Sequence, residues 1–343
     1  MKRIKLKGKI TKTVIDQTIK SLQENIVLLP TEFNYVFAST NPGRLMSIPT
    51  GDILNDNQKV EPAQFVIKSE VPYEQLNELA RKILDHFSSS PLIAIIPALN
   101  GKIGIQITSS ELITKILAQI KTPIYFIENE ESDWLNQYRD RLALYIETDL
   151  KKRLLSTILD LSSAIPIIIR KGAIPILAIE KVLGRRIKLG RGIYFSVLFV
   201  CSGNSCRSPM AKGILEKMLE NQNVFVYSAG TIAGAGNLPS EFAIKAVQKY
   251  GADISNHLSA PLTKELIDHA DLILVMSPKH KDAVLELVPE ADVKTFLLKE
   301  YAFGQQEEIE DPVGQPLSVF ERIAAVIFES LEKVADDIKA RLN

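Results

Sequence analysis

The sequence Val197-Leu-Phe-Val-Cys-Ser-Gly-Asn-Ser-Cys-Arg-Ser-Pro209 decides how the second half of the chain folds. Its first four residues are apolar and predict a buried strand, and apolar residues at helical spacing begin directly after it. The segment between them is rich in Ser, Gly and Asn, and Gly203 and Asn204 favour tight turning there. We therefore expect a strand, a tight loop and a helix. The helix begins near Ser208 and has Pro209 in its first turn, where the missing N–H of proline is harmless.

This arrangement predicts a site for anions. The N–H groups of the loop and the N-terminus of the helix converge, and both favour negative charge. Cys201 begins the loop, where the same field and a nearby arginine favour its thiolate, the nucleophilic form. Arg207 offers a planar fork to two oxygens of a tetrahedral oxyanion. A structural cysteine in a turn would need neither the arginine nor the glycine, so the pattern predicts cleavage of phosphate esters by attack on phosphorus.

The rest of the second half carries matching segments. Together with residues 197–211, they resemble the low-molecular-weight protein-tyrosine-phosphatase family at Ser228-Ala-Gly-Thr231, Asp271-Leu-Ile-Leu-Val-Met276, Leu298-Lys-Glu-Tyr301 and Asp311-Pro312. The resemblance covers residues 194–343 and implies an α/β fold with a parallel sheet flanked by helices. In such sheets ligands bind at the carboxyl ends of the strands, and Cys201 follows one of them.

The resemblance also implies a role for individual residues. Cys201, Arg207 and Asp311 are the catalytic residues. Cys201 attacks phosphorus, and Asp311 is the general acid and then the base that activates water against a phosphocysteine, with Glu310 as the alternative acid. The phosphate-binding loop comprises Ser202, Gly203, Asn204, Ser205, Cys206 and Ser208. Ser208 is expected to bond the thiolate, and Asn204 and Ser228 to hold the loop. No metal or cofactor is expected, and the scattered His257, His269 and His280 are expected to be surface or structural residues.

Three positions bear on which phosphorylated residue is attacked: Ser205, Ile232 and Val313. Tyrosine-specific members of the family that the chain resembles tend to carry bulky apolar or aromatic residues there, which stack on the phenol ring. The arginine phosphatases carry a small polar threonine where Ser205 stands. The resemblance therefore favours a protein arginine phosphatase, with a protein tyrosine phosphatase as the alternative. An arsenate reductase would need resolving cysteines beyond the loop, and the chain has only two cysteines, both in the loop.

The first half is predicted to form a second α/β domain, beginning with a strand over residues 2–15. Residues 26–35, 67–68, 103–105 and 156–174 resemble the YrdC-like family of threonylcarbamoyl-adenylate synthases. In that family these segments line a cavity for threonine and ATP. The resemblance implies a ligand site that comprises Thr31, Glu32, Tyr35, Lys68, Ser156 and Arg170.

Several departures from that family's pattern affect its nucleotide site. Val36 stands where a glycine normally follows the tyrosine, Glu70 replaces an arginine, and a Ser-x-Asn element expected after Ile124 is missing. We therefore favour an inactive domain that binds a nucleotide, threonine or tRNA, or that regulates the phosphatase. The alternative is a bifunctional protein with an active synthase for tRNA modification.

Length and composition indicate how many domains the chain has, which partners suit it and in which compartment it works. A chain of 343 residues favours two domains, which we place at 1–187 and 194–343, with a basic, glycine-rich linker at 188–193. Residues 1–193 hold 27 Lys and Arg against 20 Asp and Glu, while the remainder holds 14 against 21. The basic half suits an anionic partner, or the two halves attract each other. No apolar run is long enough to cross a bilayer, and two cysteines without a disulfide framework favour the cytoplasm. The expected substrates are phosphorylated proteins.

Overall fold

The computed structural model describes residues 1–6, 8–48, 65–69, 76–98, 101–128, 137–150 and 153–342. Internal contacts divide the chain into two compact units. The N-terminal unit comprises Met1–Ile174 and Ile179–Ile193, and the C-terminal unit comprises Pro175–Ala178 and Tyr194–Asn343. Among the described residues, no helix combines the length and the apolar character needed to cross a membrane.

The N-terminal unit is built on a mixed sheet, which confirms the α/β class predicted for it. Eleven strands are present in its described residues: β1 (Lys2–Lys5), β2 (Ile26–Pro30), β3 (Tyr35–Ser39), β4 (Phe65–Lys68), β5 (Leu92–Ala98), β6 (Gly101–Ile107), β7 (Ile124–Glu128), β8 (Leu142–Glu147), β9 (Thr157–Asp160), β10 (Ile167–Arg170) and β11 (Lys188–Leu189). The strand order is β1-β8-β2-β3-β7-β4-β6-β5-β9-β10-β11. Its helices in the described residues include α1 (Lys12–Glu24), α2 (Pro42–Leu45), α3 (Glu78–His86) and α4 (Glu111–Leu117). The next helix, α5 (Ile176–Leu183), belongs to this unit from Ile179 onward.

Two parts of this unit differ from the sequence-based expectation. The strand predicted over residues 2–15 is wrong beyond Lys5, because the side chain of Thr11 accepts the N–H of Val14 and starts α1 at Lys12. The predicted linker is also partly regular, since Lys188 and Leu189 pair in parallel with β10.

The C-terminal unit holds a four-stranded sheet in which every pair is parallel, as predicted for residues 194–343. Its strands are β12 (Phe195–Cys201), β13 (Val224–Gly230), β14 (Leu272–Val275) and β15 (Thr295–Leu297), in the order β13-β12-β14-β15. Its helices are α6 (Arg207–Met218), α7 (Glu241–Gln248), α8 (Lys264–His269), α9 (Pro278–Leu287), α10 (Leu298–Phe303) and α11 (Leu317–Leu342). The central strands β12 and β14 are buried along their whole length, as is typical of parallel sheets covered by helices.

Helix α6 follows the motif loop and packs closely on the chain near Ile254. A Cβ added at Gly213 would lie 2.4 Å from Cγ2 of Ile254. The absence of a side chain at Gly213 therefore sets the position of the helix that begins with Arg207.

This close contact predicts that Gly213→Ala destabilises the protein. Alanine normally stabilises a helix by about 1 kcal/mol relative to glycine, but here overpacking is expected to outweigh that gain and to cost about 1–3 kcal/mol. Scanning calorimetry should show a lowered unfolding temperature. The matched change Lys217→Ala, at an exposed position of the same helix, should shift stability by less than about 0.5 kcal/mol. A raised unfolding temperature for Gly213→Ala would contradict the contact.

Candidate active site

The loop of residues 201–208 joins β12 to α6, as the motif predicts. Cys201 ends the strand and is 2% exposed, and α6 begins at Arg207, one residue before the predicted start. The left-handed turn is made by Asn204, with a φ of 52° that asparagine tolerates better than most residues. The tight turning expected of Gly203 and Asn204 together thus belongs to Asn204.

Hydrogen bonds from neighbouring segments to its carbonyl groups fix the backbone of this loop. The carbonyl oxygens of Cys201, Ser202 and Ser205 accept N–H groups of Thr231, Ile232 and Ser240 at 2.9, 3.1 and 2.9 Å. Within the described part of the chain, the backbone N–H groups of residues 202–207 donate to no protein acceptor. These N–H groups are therefore available to an anionic ligand.

A hydrogen-bonded network surrounds the sulfur of Cys201. Its Sγ lies 2.9 Å from Oγ of Ser208. Asn204 donates from Nδ2 to Oγ of Ser208 at 2.9 Å and to Oγ of Ser228 at 3.0 Å, and its Oδ1 accepts the N–H of Ala260 at 2.9 Å. Since Ser208 accepts from Asn204, its own hydroxyl hydrogen has two acceptors within reach, the sulfur at 2.9 Å and the carbonyl oxygen of Ala229 at 3.5 Å. The shorter contact is to sulfur, where the hydroxyl would stabilise a thiolate. The structure thus brings together Cys201, Ser208, Asn204 and Ser228, which the sequence analysis grouped.

Arg207 and Asp311 meet in an ion pair beside the loop. Nη2 of Arg207 donates to Oδ2 of Asp311 at 2.5 Å, and Nη1 donates to the carbonyl of Ile309 at 3.1 Å. The N–H of Ile309 in turn donates to the carbonyl of Met276 at 2.8 Å, which ties the acidic segment to the end of β14. Glu310, the alternative acid, instead forms an ion pair with Arg322, with 2.9 Å between its Oε2 and Nη2 of the arginine.

Two histidines of the C-terminal unit contact the loop, which sequence reasoning did not predict. His280 is 4% exposed, and its ring lies between Oγ of Ser202 at 2.9 Å and Oγ of Ser277 at 3.0 Å. Burial and the charge of Arg207 lower the pKa of His280 to about 4. Nε2 of His257 lies 2.9 Å from the carbonyl oxygen of Asn204, and burial lowers the pKa of His257 as well.

The remaining loop cysteine and the selectivity positions have contrasting environments. Cys206 is buried, and burial raises the pKa of its thiol. Ile232 and Val313 are 81% and 66% exposed, whereas Ser205 is only half-buried in the loop. The predicted selectivity residues therefore include two aliphatic side chains that stand open to solvent.

In the described part of the N-terminal unit, two of the six predicted ligand residues, Ser156 and Arg170, lie together: Nε and Nη2 of Arg170 donate to the carbonyl of Ser156 at 3.1 and 2.8 Å. The carboxylate of Glu128 accepts hydrogen bonds from the N–H and hydroxyl of Ser156, at 3.2 and 2.6 Å, and pairs with Arg170. The other four have different partners: Thr31 bonds within its own turn, Glu32 accepts from Thr108 and Ser109, Tyr35 bonds Thr148, and the carbonyl of Lys68 accepts the N–H of Thr108. Glu70 lies outside the described residues. Among those described, no group of three or more His, Cys, Asp or Glu could hold a metal ion.

Comparison with known proteins points to one family for the second half of the chain. The sequence profile of the low molecular weight phosphotyrosine protein phosphatase family matches residues 196–343. A protein-arginine-phosphatase of Geobacillus stearothermophilus is 37% identical over 145 residues, which span 42% of this chain and 97% of the relative. A protein-arginine-phosphatase of Bacillus subtilis (strain 168) is 36% identical over 42% and 96%. A putative low molecular weight protein-tyrosine-phosphatase of Klebsiella pneumoniae is 31% identical over 43% and 100%.

Proposed function

The chain belongs, through residues 196–343, to the low molecular weight phosphotyrosine protein phosphatase family, and from that premise we propose a protein arginine phosphatase that works through a phosphocysteine. The observation that carries the mechanism is the position of Cys201. Its sulfur lies 2.9 Å from the hydroxyl of Ser208, at the start of a loop whose N–H groups have no protein acceptor among the described residues. The Arg207–Asp311 pair adds an anion-binding fork and an acid.

The first chemical step transfers the phosphoryl group to sulfur. The phosphate oxygens accept hydrogen bonds from the loop N–H groups and from Arg207, which releases the carboxylate of Asp311 from its ion pair. Asp311 then takes up a proton from solvent. The thiolate of Cys201 attacks phosphorus and forms an S–P bond, while the bond from phosphorus to the leaving group breaks. Asp311 gives its proton to the leaving atom, which is nitrogen in phosphoarginine and oxygen in phosphotyrosine.

The second step releases phosphate. Asp311, now a carboxylate, takes a proton from water, and the oxygen of that water attacks phosphorus. The S–P bond breaks and its electron pair returns to Cys201 as a thiolate, which the hydroxyl of Ser208 stabilises. Asp311 returns its proton to solvent when phosphate leaves and the ion pair with Arg207 forms again, so no external reactant besides water is consumed.

The nucleophile is tested by Cys201→Ser. We expect hydrolysis of p-nitrophenyl phosphate to fall to the uncatalysed background, because a serine hydroxyl is not ionised at neutral pH. Circular dichroism should show an unchanged fold. Cys206→Ser should retain measurable hydrolysis, since burial keeps that thiol protonated. Activity in Cys201→Ser would refute the proposed mechanism.

The side chains at the loop and its rim favour phosphoarginine over phosphotyrosine. Phosphotyrosine is a flat apolar ring that gains from apolar walls around the nucleophile. Ser205 places a small hydroxyl in the loop, which leaves room for the planar and polar phosphoguanidinium. The two relatives named protein-arginine-phosphatase also have the higher identities among the three compared, at 37% and 36% against 31%. A protein tyrosine phosphatase is the alternative.

The substrate class is tested by side-by-side kinetics on phosphoarginine and phosphotyrosine peptides. We expect the higher kcat/KM on phosphoarginine, and Ser205→Ile should shift the ratio toward phosphotyrosine about 10- to 100-fold, since one pocket contact is worth about 1–3 kcal/mol. Ser205→Thr, the matched β-branched control, should keep the preference. A wild-type preference for phosphotyrosine would favour a protein tyrosine phosphatase. An unchanged ratio of the two kcat/KM values in Ser205→Ile would indicate that Ile232 and Val313, not Ser205, determine the preference.

For the N-terminal unit we propose a YrdC-like domain that binds ATP or tRNA without synthase activity. The observation that favours the loss of activity is Glu128, which follows Ile124 where the Ser-x-Asn element is missing. Its buried carboxylate engages both Ser156 and Arg170, two residues of the predicted ligand site. A ligand that needed those donors would have to displace a buried, paired charge, which costs several kcal/mol.

This proposal predicts that the full-length protein, given ATP, threonine and bicarbonate, releases no pyrophosphate in a threonine-dependent manner. The reaction is followed with a coupled pyrophosphate assay, and the Cys201→Ser variant serves as a matched sample without phosphatase activity. Threonine-dependent release of pyrophosphate would establish the bifunctional alternative. Calorimetric titration with ATP and with tRNA separates a binding domain from one with a purely structural role.

A further inference from the structure

His280 occupies the first turn of α9, and neither step of the proposed mechanism uses it. Its imidazole lies between the hydroxyls of Ser202 and Ser277, at 2.9 and 3.0 Å. Ser202 also lies 3.5 Å from Nη2 of Arg207, the nitrogen that pairs with Asp311. The ring is thus linked to the guanidinium through a single hydroxyl.

The chemistry of arginine favours one direction for each hydrogen bond. A guanidinium can only donate, so Ser202 accepts from Arg207 and keeps its own hydrogen, which Nε2 of His280 can accept. This arrangement corresponds to the tautomer with its ring hydrogen on Nδ1, where it donates to Ser277. A neutral imidazole satisfies this chain, and the pKa of about 4 keeps His280 neutral at physiological pH.

We propose that His280 is a positioning residue for Arg207. As a hydrogen-bond acceptor, it fixes the hydroxyl of Ser202 so that the serine oxygen faces the guanidinium and holds its fork toward the phosphate. The inference rests on the proposed role of Arg207 in binding phosphate. The contact between His280 and Ser202 has its largest effect once substrate has displaced Asp311. Ser202 and the carbonyl of Ile309 are then the protein acceptors that orient the two terminal nitrogens of Arg207.

A direct catalytic role does not fit the same contacts. The ring nitrogens of His280 bond two serines, and neither Cys201 nor Asp311 is among their hydrogen-bond partners in the described structure. Its effect on the reaction therefore passes through Ser202 and Arg207. Binding of oxyanions should respond to a change at His280 more than the chemical steps do.

The test compares two amides at position 280 in the full-length protein. The amide of Gln reaches the place of Nε2 and can accept from Ser202, whereas the shorter Asn reaches only the place of Nδ1. We expect His280→Asn to raise KM for p-nitrophenyl phosphate and Ki for inorganic phosphate about tenfold, in the range of one hydrogen bond to a charged group, and His280→Gln to restore most of the loss. His269→Asn, at an exposed position of the same unit, should change neither constant.

Ser202→Ala provides a second test, which does not depend on whether the histidine variants fold. It should raise KM and Ki as His280→Asn does, and the double variant should lose no more than either single variant, because both act through one chain of bonds. Additive losses, unchanged Ki in Ser202→Ala, or equal losses in the Asn and Gln variants would overturn the inference. A wild-type protein without phosphatase activity, or activity in Cys201→Ser, would instead overturn the proposed function.

Discussion

The side chain of Asn204 joins the parts of the C-terminal unit that form the active site. It bonds Ser208 at the start of α6, Ser228 in β13 and the N–H of Ala260, while its backbone takes the left-handed turn. The approach of β13 is so close that a Cβ at Gly230 would lie 2.4 Å from the carbonyl oxygen of Ser202. The loop is thereby fixed before any ligand arrives, which lets its N–H groups face an anion without reorganisation.

Charge balance around Arg207 explains how a buried cation is tolerated at this site. Arg207 is 6% exposed, and its charge would be costly to bury alone, but Asp311 and the carbonyl of Ile309 accept hydrogen bonds from its guanidinium. Asp311 is 46% exposed at its side chain, so it can leave the pair when phosphate supplies negative charge in its place. The same ion pair thus stabilises the free enzyme and keeps the acid within reach of the leaving group.

The sequence predicts local features well and distant contacts poorly. The strand, loop and helix around Cys201 follow from apolar spacing and turn residues that are adjacent in the chain. His280 lies 78 residues from Ser202, and the parallel pairing of β12 with β14, which ends at Val200 and Val275, brings the ends of the two strands together. In the N-terminal unit, basic and apolar residues alternate as in a strand, but the cap at Thr11 starts a helix there instead. The contact between Glu128 and Arg170 could not be predicted because it depends on pairing across several strands.

The central claim is that phosphorus is transferred to the sulfur of Cys201. It is tested most directly by mixing the protein with p-nitrophenyl phosphate, quenching in acid within milliseconds, and locating phosphate by mass spectrometry of the peptide that contains residues 201–207. We expect phosphate on Cys201, and more of it in Asp311→Asn than in the wild type relative to the rate of turnover, because water then lacks its base. Phosphate on another residue, or turnover without any phosphorylated peptide, would contradict it.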